Sequence, residues 1–279
     1  MKSFQNKQAQ KPISSKLITG ENVSFRAIEA YKIARTNIMF TLAGKKGCKI
    51  IVVTSSVAGE GKTTSSINLA VTFAQMNAKV LLIDADLRRP KVNQYMEERN
   101  EEGLADLLAG FVDISDVIRY SEKQGIDYIS AGHIPPNPAE LLATPRMEQA
   151  LNELSEVYDY IFLDSPPVNL VADALVMAKH ASGVLIVLKQ NETPRDLMKK
   201  TISSLEFAEA KILGFLMNES EDKQYSYSYS YRKKYSYDYS SYANNEYVNG
   251  PGYGDRKPKP KKTEEKKKSF KGFKLSKKK

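Results

Sequence analysis

Cysteine and long apolar runs are the two features that this sequence most clearly lacks. Cys48 is the only cysteine, which excludes an intramolecular disulfide and a cysteine-based zinc site and suits a reducing compartment. No uninterrupted apolar run approaches the roughly 20 residues that a membrane-spanning helix needs. The N-terminal stretch MKSFQNKQAQKPISSK also lacks the apolar centre of a secretory signal peptide. We therefore expect a cytoplasmic protein, which a partner would have to recruit if it acts at a membrane.

Positive charge is concentrated at the C-terminal end of the chain. The formal net charge is +9, but residues 256–279 contain thirteen Lys and Arg and only two Glu, a local net charge of +11. Residues 1–255 therefore carry +9 less +11, or −2. Since the excess of positive charge lies in one segment and not over a folded surface, the composition argues against nucleic acid as a partner.

Apolar runs separated by helical stretches organise the middle of the chain. The spacing of apolar residues predicts a first helix over 24–42. Six short runs rich in Ile, Val and Leu then follow, at 49–54, 79–84, 127–130, 160–164, 183–188 and 211–217. Because these runs are apolar throughout, they suit parallel strands that are covered on both faces. The pattern predicts an α/β domain with a doubly wound, mostly parallel sheet.

Tyrosine dominates the segment that follows the last apolar run. Ten of the sixteen tyrosines lie here: Tyr225, Tyr227, Tyr229, Tyr231, Tyr235, Tyr237, Tyr239, Tyr242, Tyr247 and Tyr253. Alternating Tyr and Ser has the period of a strand, so an exposed β ribbon or a sticky low-complexity tract is one interpretation of this cluster. The Lys-rich residues after it are expected to be disordered. We therefore divide the chain into a flexible segment (1–24), a folded domain (25–220), a tyrosine cluster (221–254) and a lysine-rich tail (255–279).

A glycine-rich loop follows the first apolar run. Residues 56–64 read SVAGEGKTT and precede a helical stretch, which is the context in which such a loop binds nucleotide phosphates, as in P-loop NTPases. Lys62 would reach the β and γ phosphates of ATP, and Thr63 would bind Mg²⁺. The common pattern has Gly where this chain has Ser56, so the loop is a variant. The candidate nucleotide-binding residues are Ala58, Gly59, Glu60, Gly61, Lys62, Thr63 and Thr64.

Acidic residues follow two of the later runs. Asp84 and Asp86 stand at alternate positions, which project to the same side of an extended chain. Asp164 ends the fourth run and has the form of the acid that holds Mg²⁺ in P-loop proteins. A lone Asp is more often a helix cap or a solvated residue. Three of them at the ends of strands, downstream of a phosphate loop, predict a site at the carboxyl edge of the sheet.

The segments GEGKTT, LLIDADLRRP and YIFLDSPPVNLVADA together resemble the bacterial tyrosine kinases, or BY-kinases. The resemblance is greatest to the stand-alone cytoplasmic form that serves capsule and exopolysaccharide synthesis in Gram-positive bacteria. It implies an ATP- and Mg²⁺-dependent kinase that phosphorylates its own ten clustered tyrosines. It also implies that Lys62, Asp84 and Asp86 are catalytic, with Asp84 as the base that takes the tyrosine proton. Asp86, Asp164 and Thr63 would organise Mg²⁺, although these roles could be permuted among the acids.

The same resemblance implies an oligomer and partners. Glu29, Lys32 and Arg35 match the spacing of a family motif on an early helix that builds rings, although the family has Arg at the middle position. A solvated charged face is the alternative interpretation of these three residues. In related P-loop ATPases an Asn at the position of Asn218 reads the adenine edge. The implied partners are a transmembrane adaptor of polysaccharide export, a cognate tyrosine phosphatase and other copies of the chain, at the inner face of the membrane.

Two other functions compete with the kinase. A partitioning or septum-placement ATPase would use the same fold as a nucleotide switch and its basic tail on anionic lipid or DNA. The paired acids Asp84 and Asp86 and the tyrosine cluster argue against this ATPase. An inactive adaptor is disfavoured because the residues predicted to bind phosphate and Mg²⁺ are all intact.

Overall fold

Helices and strands alternate along the chain as the apolar runs require. The computed structural model describes residues 17–20 and 23–218. Its helices are α1 (Phe25–Thr41), α2 (Lys62–Ala74), α3 (Val92–Met96), α4 (Leu104–Ala109), α5 (Ile114–Val117), α6 (Pro138–Leu142), α7 (Pro145–Ser155), α8 (Asp173–Ala178) and α9 (Arg195–Phe207). Its strands are β1 (Lys49–Ser55), β2 (Val80–Asp84), β3 (Arg119–Ser121), β4 (Ile126–Ile129), β5 (Tyr160–Asp164), β6 (Gly183–Lys189) and β7 (Ile212–Asn218). The first helix and the six predicted strands are all present.

Local chemistry explains several of these boundaries. Helix α1 begins after Ser24, whose hydroxyl accepts a hydrogen bond from the N–H of Ala27, as an N-cap residue does. Helices α6 and α7 each begin with a proline, Pro138 and Pro145, at the position where the missing N–H costs no helical hydrogen bond. Helix α4 ends at Gly110, which has a positive φ of 85° and so allows the chain to leave the helix.

The strands of the described part of the chain form one sheet. Its order is β3-β4-β2-β5-β1-β6-β7. Neighbouring strands are parallel except β3 and β4, which pair antiparallel. The mostly parallel, doubly wound sheet is therefore confirmed. The sequence analysis missed β3, because its three residues, Arg-Tyr-Ser, carry no apolar run and form only an edge strand.

Two apolar layers cover the sheet, one on each face. Alternate residues of β1 point into different layers: Ile51 and Val53 pack with α2, whereas Ile50 and Val52 pack with α7 and α8. The α2 layer also receives Ile38 from α1. Because both faces are buried, strands β1, β2 and β5 are apolar along nearly their whole length.

Parallel pairing aligns the carboxyl ends of the central strands. Val53 of β1 and Asp84 of β2 both lie opposite Asp164 of β5, so the loops after these strands meet at one edge of the sheet. Among residues 17–20 and 23–218, no helix is long and apolar enough to cross a membrane. The predicted tyrosine cluster, the lysine-rich tail and most of residues 1–24 lie outside the described residues.

Candidate active site

The phosphate loop joins β1 to α2 and borders a cavity of about 820 Å³. Gly59 and Gly61 have positive φ angles of 89° and 86°, a conformation that favours glycine. A Cβ on Gly61 would lie 2.0 Å from Nδ2 of Asn218, so this glycine also leaves room for the side chain that ends β7. Seven of the predicted nucleotide-binding residues line the cavity: Ala58, Gly59, Gly61, Lys62, Thr63, Thr64 and Asn218.

Lys62 lies between two carboxylates at the carboxyl edge of the sheet. Its Nζ is 2.9 Å from Oδ2 of Asp86 and 3.5 Å from Oδ2 of Asp164. Thr63 donates a hydrogen bond of 2.6 Å to the same oxygen of Asp164, and Ser66 donates one of 3.0 Å to the other. The structure therefore brings three separate stretches of sequence into one polar cluster in a largely apolar interior.

Burial sets the protonation behaviour of this cluster. Loss of solvent raises the pKa of Asp164, although Lys62 and Thr63 oppose the change. Burial alone would lower the pKa of Lys62, but the carboxylates of Asp164 and Asp86 outweigh it and raise that pKa. Lys62 therefore stays charged, as a contact to phosphate requires.

Asp84 is buried and does not line the cavity, although two of the lining residues donate hydrogen bonds to it. Its Oδ2 accepts hydrogen bonds of 2.9 Å from the N–H groups of both Lys91 and Val92, and its Oδ1 accepts one of 3.2 Å from the N–H of Asp86. Burial and the nearby Asp164 raise its pKa to about 7. Asp86, in contrast, lines the cavity. Their alternate spacing predicted that both acids would face the same space, but only Asp86 faces the cavity.

Glu60 turns its side chain away from the cavity. Its carboxylate accepts a hydrogen bond of 2.9 Å from the N–H of Val57 and another from the hydroxyl of Thr193. Its backbone carbonyl accepts a hydrogen bond of 3.0 Å from Nδ2 of Asn218. Since Glu60 is only 2% exposed, this network ties the phosphate loop to the segment that follows β6 and to the last residue of β7.

The oxygen donors beside Lys62 fit a magnesium ion. Mg²⁺ prefers oxygen ligands and is usually held by one or two carboxylates together with phosphate oxygens of the substrate. Thr63 and Asp164 supply a hydroxyl and a carboxylate whose oxygens are 2.6 Å apart. The described residues contain no group of three or more His, Cys, Asp or Glu that could hold a metal ion.

Comparisons with known proteins place this site in a family. The family profile described as AAA domain matches residues 48–210. The tyrosine-protein kinase YwqD of Bacillus subtilis is 37% identical over 198 residues, which cover 71% of this chain and 83% of YwqD. The chain belongs to the bacterial tyrosine kinase family.

Two solved structures agree with this membership. The kinase domain of the Escherichia coli tyrosine kinase ETK matches with a TM-score of 0.68 and 35% identity, over 73% of this chain and 80% of that chain. The chimerical protein CapA2B2 matches with a TM-score of 0.67 and 35% identity, over 73% of this chain and 89% of that chain. Because kinases of both E. coli and B. subtilis match, the comparisons show the family but do not show that the chain is of its stand-alone Gram-positive type.

The predicted oligomerisation residues of this tyrosine kinase divide into two environments. Lys32 and Glu29 form an ion pair of 2.8 Å on the surface of α1. Arg35 instead points inward, and its Nη1 donates a hydrogen bond of 2.6 Å to the backbone carbonyl of Thr72 in α2. Arg35 therefore holds α1 against α2 within the same subunit.

The sequence analysis missed a second buried network around the phosphate loop. Thr201 of α9 lies 2.9 Å from the hydroxyl of Ser56 and accepts a hydrogen bond of 2.9 Å from Asn169. Ser56 stands where the common loop pattern has its first glycine. This substitution was the only sequence feature that could have indicated the network. A hydroxyl at this position gives the loop a fixed partner, which glycine could not provide.

Proposed function

We propose that this kinase transfers the γ-phosphate of ATP to the tyrosines of its own C-terminal cluster. The observation that carries the proposal is the position of Lys62, held at 2.9 Å from Asp86 and 3.5 Å from Asp164 in a cavity lined by the phosphate loop. Phosphoryl transfer asks a protein mainly for position and for neutralisation of phosphate charge. A charged lysine at the start of α2, where the helix dipole also favours anions, provides both.

In the proposed reaction, the tyrosine oxygen forms a bond to the γ-phosphorus and the bond from that phosphorus to the β,γ-bridging oxygen breaks. ADP leaves with the bridging oxygen, and the phenolic proton passes to a carboxylate. Asp84 suits the role of base because its pKa is about 7, although both of its oxygens, like those of Asp86, accept hydrogen bonds. Since Asp84 is fully buried, the acceptor hydroxyl would reach it only after a local rearrangement at the site.

Magnesium would be held by Thr63 and Asp164, with Asp86 nearby, and would neutralise charge on the β and γ phosphates when bound. Asn218 would contact the adenine, since it lines the cavity and its side chain is fixed on the carbonyl of Glu60. The phosphate loop, the magnesium ligands and Asn218 would then each contact a different part of the bound nucleotide.

The biological setting follows from the family. We expect regulation of capsular or extracellular polysaccharide synthesis, recruitment to the inner face of the membrane by a transmembrane adaptor, and reversal by a cognate tyrosine phosphatase. We also expect ring-shaped oligomers in which one subunit phosphorylates the tail of its neighbour. The tail would then be present at a high local concentration, so the active site would not need a high affinity for the acceptor tyrosine.

One assay separates this proposal from its competitors. The purified full chain is incubated with γ-labelled ATP and Mg²⁺, and the label is located. Label on tyrosine supports the kinase. Label released only as free phosphate would support the ATPase switch, and label that stays on ATP would support an inactive adaptor.

A further inference from the structure

Two exposed cations lie on the cavity wall next to the catalytic acids. Arg89 and Lys91 both line the cavity that also contains Lys62 and Asp86. Both side chains are exposed, and neither forms an ion pair or side-chain hydrogen bond with another described residue. Their neighbour Arg88 differs, because its guanidinium makes two hydrogen bonds of 2.9 and 3.0 Å to the buried Asp173. Arg88 thus has a structural partner, and the other two cations are available to a ligand.

The backbone of both cations is fixed by the acids of the site. Asp86 accepts a hydrogen bond of 3.1 Å from the N–H of Arg89. Asp84 accepts one of 2.9 Å from the N–H of Lys91. The main chain of both residues is therefore bonded to the carboxylates of the site, and their exposed side chains extend from this part of the cavity wall.

Lys62 and the Mg²⁺ that arrives with the substrate would contact the phosphates of ATP, and Arg89 and Lys91 would add two positive charges beside them. An acceptor that carries a phosphotyrosine would bring a further charge of about −1.5 to −2 and would be repelled by the triphosphate. Two exposed cations offset such a charge in both sign and size.

The sequence of the tyrosine cluster presents this kind of acceptor. From Tyr225 to Tyr231 every second residue is tyrosine. In an extended peptide, residues two apart lie on the same face, separated by about 7 Å. Once one tyrosine is phosphorylated, its phosphate therefore lies on the same side of the peptide as the next acceptor hydroxyl.

We propose that Arg89 and Lys91 form a subsite for a phosphotyrosine located two residues from the tyrosine being phosphorylated. The proposal rests on the proposed kinase activity and adds a substrate class to it: acceptors already phosphorylated nearby. Each transfer would make the neighbouring tyrosine a better substrate. Phosphorylation would then spread along the cluster and would not occur at independent sites.

The test uses the full chain with its ten cluster tyrosines changed to Phe, so that the tail does not compete with added peptides. Three peptides reproduce residues 224–232 with Tyr227 as their only acceptor and Phe at the other tyrosines. The first is unphosphorylated, the second carries phosphotyrosine at position 229, and the third carries phosphoserine at position 228. The third peptide places a similar charge on the opposite face of an extended chain.

We expect kcat/KM for the phosphotyrosine peptide to exceed that for the unphosphorylated peptide by about fivefold at low salt, and the preference to disappear at about 1 M KCl. Arg89→Gln/Lys91→Gln should abolish the preference, so that the kcat/KM values of the phosphotyrosine and unphosphorylated peptides become equal. Lys45→Gln/Lys79→Gln is the matched control, since it removes the same charge from exposed positions just before β1 and β2, at the strand ends away from the cavity. This control variant should retain the preference.

Three results would overturn the subsite. They are equal use of all three peptides by the parent chain, equal preference for the phosphoserine peptide, and an equal loss for every peptide in the Arg89/Lys91 variant. The last result would assign both cations to the nucleotide. A failure of the kinase proposal looks different, since no peptide would then be phosphorylated by any variant.

Discussion

The cavity and the surface of α1 contain similar charged residues in opposite environments. Around Lys62 the side chains are 13% exposed for Lys62, 7% for Asp86 and 1% for Asp164. On α1 the ion pair of Lys32 and Glu29 is formed by side chains that are 41% and 38% exposed. Buried charges are costly unless they are paired, whereas exposed pairs contribute little to stability. We therefore expect the buried cluster to serve the chemistry, and we expect any contact between molecules at α1 to involve the exposed pair.

The largest expected effect is that of Lys62→Met. It removes the cation that would contact the transferring phosphate, so tyrosine labelling should fall by about 1000-fold. The fold should persist, because Asp164, whose pKa is raised, can take up a proton when its partner is lost. Labelling with γ-labelled ATP measures the activity, circular dichroism checks the fold, and Lys79→Met is the matched control. Near-normal labelling by a folded variant would refute the site.

Asp84→Asn should have the next largest effect, about 100-fold on the labelling rate. A base acts in its deprotonated form, and the pKa of Asp84 is about 7. Labelling by the parent chain should therefore decline as the pH falls below about 7, and the variant should lose this decline. Rates measured across pH for Asp84→Asn and Asp86→Asn decide between the acids. If only Asp86→Asn removes the decline, the base is Asp86.

Thr193→Val should have a moderate effect that is confined to nucleotide binding. It removes the hydroxyl that pairs with the buried carboxylate of Glu60, and an unsatisfied buried group costs about 1–3 kcal/mol. KM for ATP should rise by about three- to tenfold, with kcat unchanged. Thr193→Ser keeps the hydroxyl, so its KM for ATP should stay close to that of the parent chain. A parallel loss of kcat in both variants would contradict this assignment.

Sequence patterns were sufficient for the fold and for most residues that line the cavity, but not for how their side chains are arranged. Apolar periodicity and the phosphate loop located β1, β5 and Asp164, because these depend on neighbouring residues. The burial of Asp84 was not predictable, since it depends on how the segment 86–91 folds back on the strand end. The partners Thr193 and Thr201 contact loop residues more than 130 positions away, and no local pattern reports such contacts.

The smallest effects are expected on α1. Glu29→Ala/Lys32→Ala should change the free energy of unfolding by less than about 0.5 kcal/mol, because the pair is exposed. Arg35→Ala should cost about 1 kcal/mol or more, since it removes a hydrogen bond between α1 and α2. Denaturant titration measures both.

The triple variant of Glu29, Lys32 and Arg35 should also form smaller assemblies and label its tail more slowly. Light scattering in the presence of the adaptor measures the assembly. An unchanged mass would assign Glu29 and Lys32 to a solvated face and would end the role of α1 as an interface.

The activity proposed for this kinase is phosphate transfer at the buried cluster around Lys62 to the tyrosine cluster of the same or a neighbouring chain. Mass spectrometry of the full chain after incubation with ATP and Mg²⁺ tests it most directly, alongside Lys62→Met and a chain whose ten cluster tyrosines are Phe. We predict phosphotyrosine within residues 225–253 of the parent chain, none in Lys62→Met, and almost none elsewhere in the Phe-substituted chain. Consumption of ATP by the parent chain without any phosphotyrosine in this segment would contradict the account.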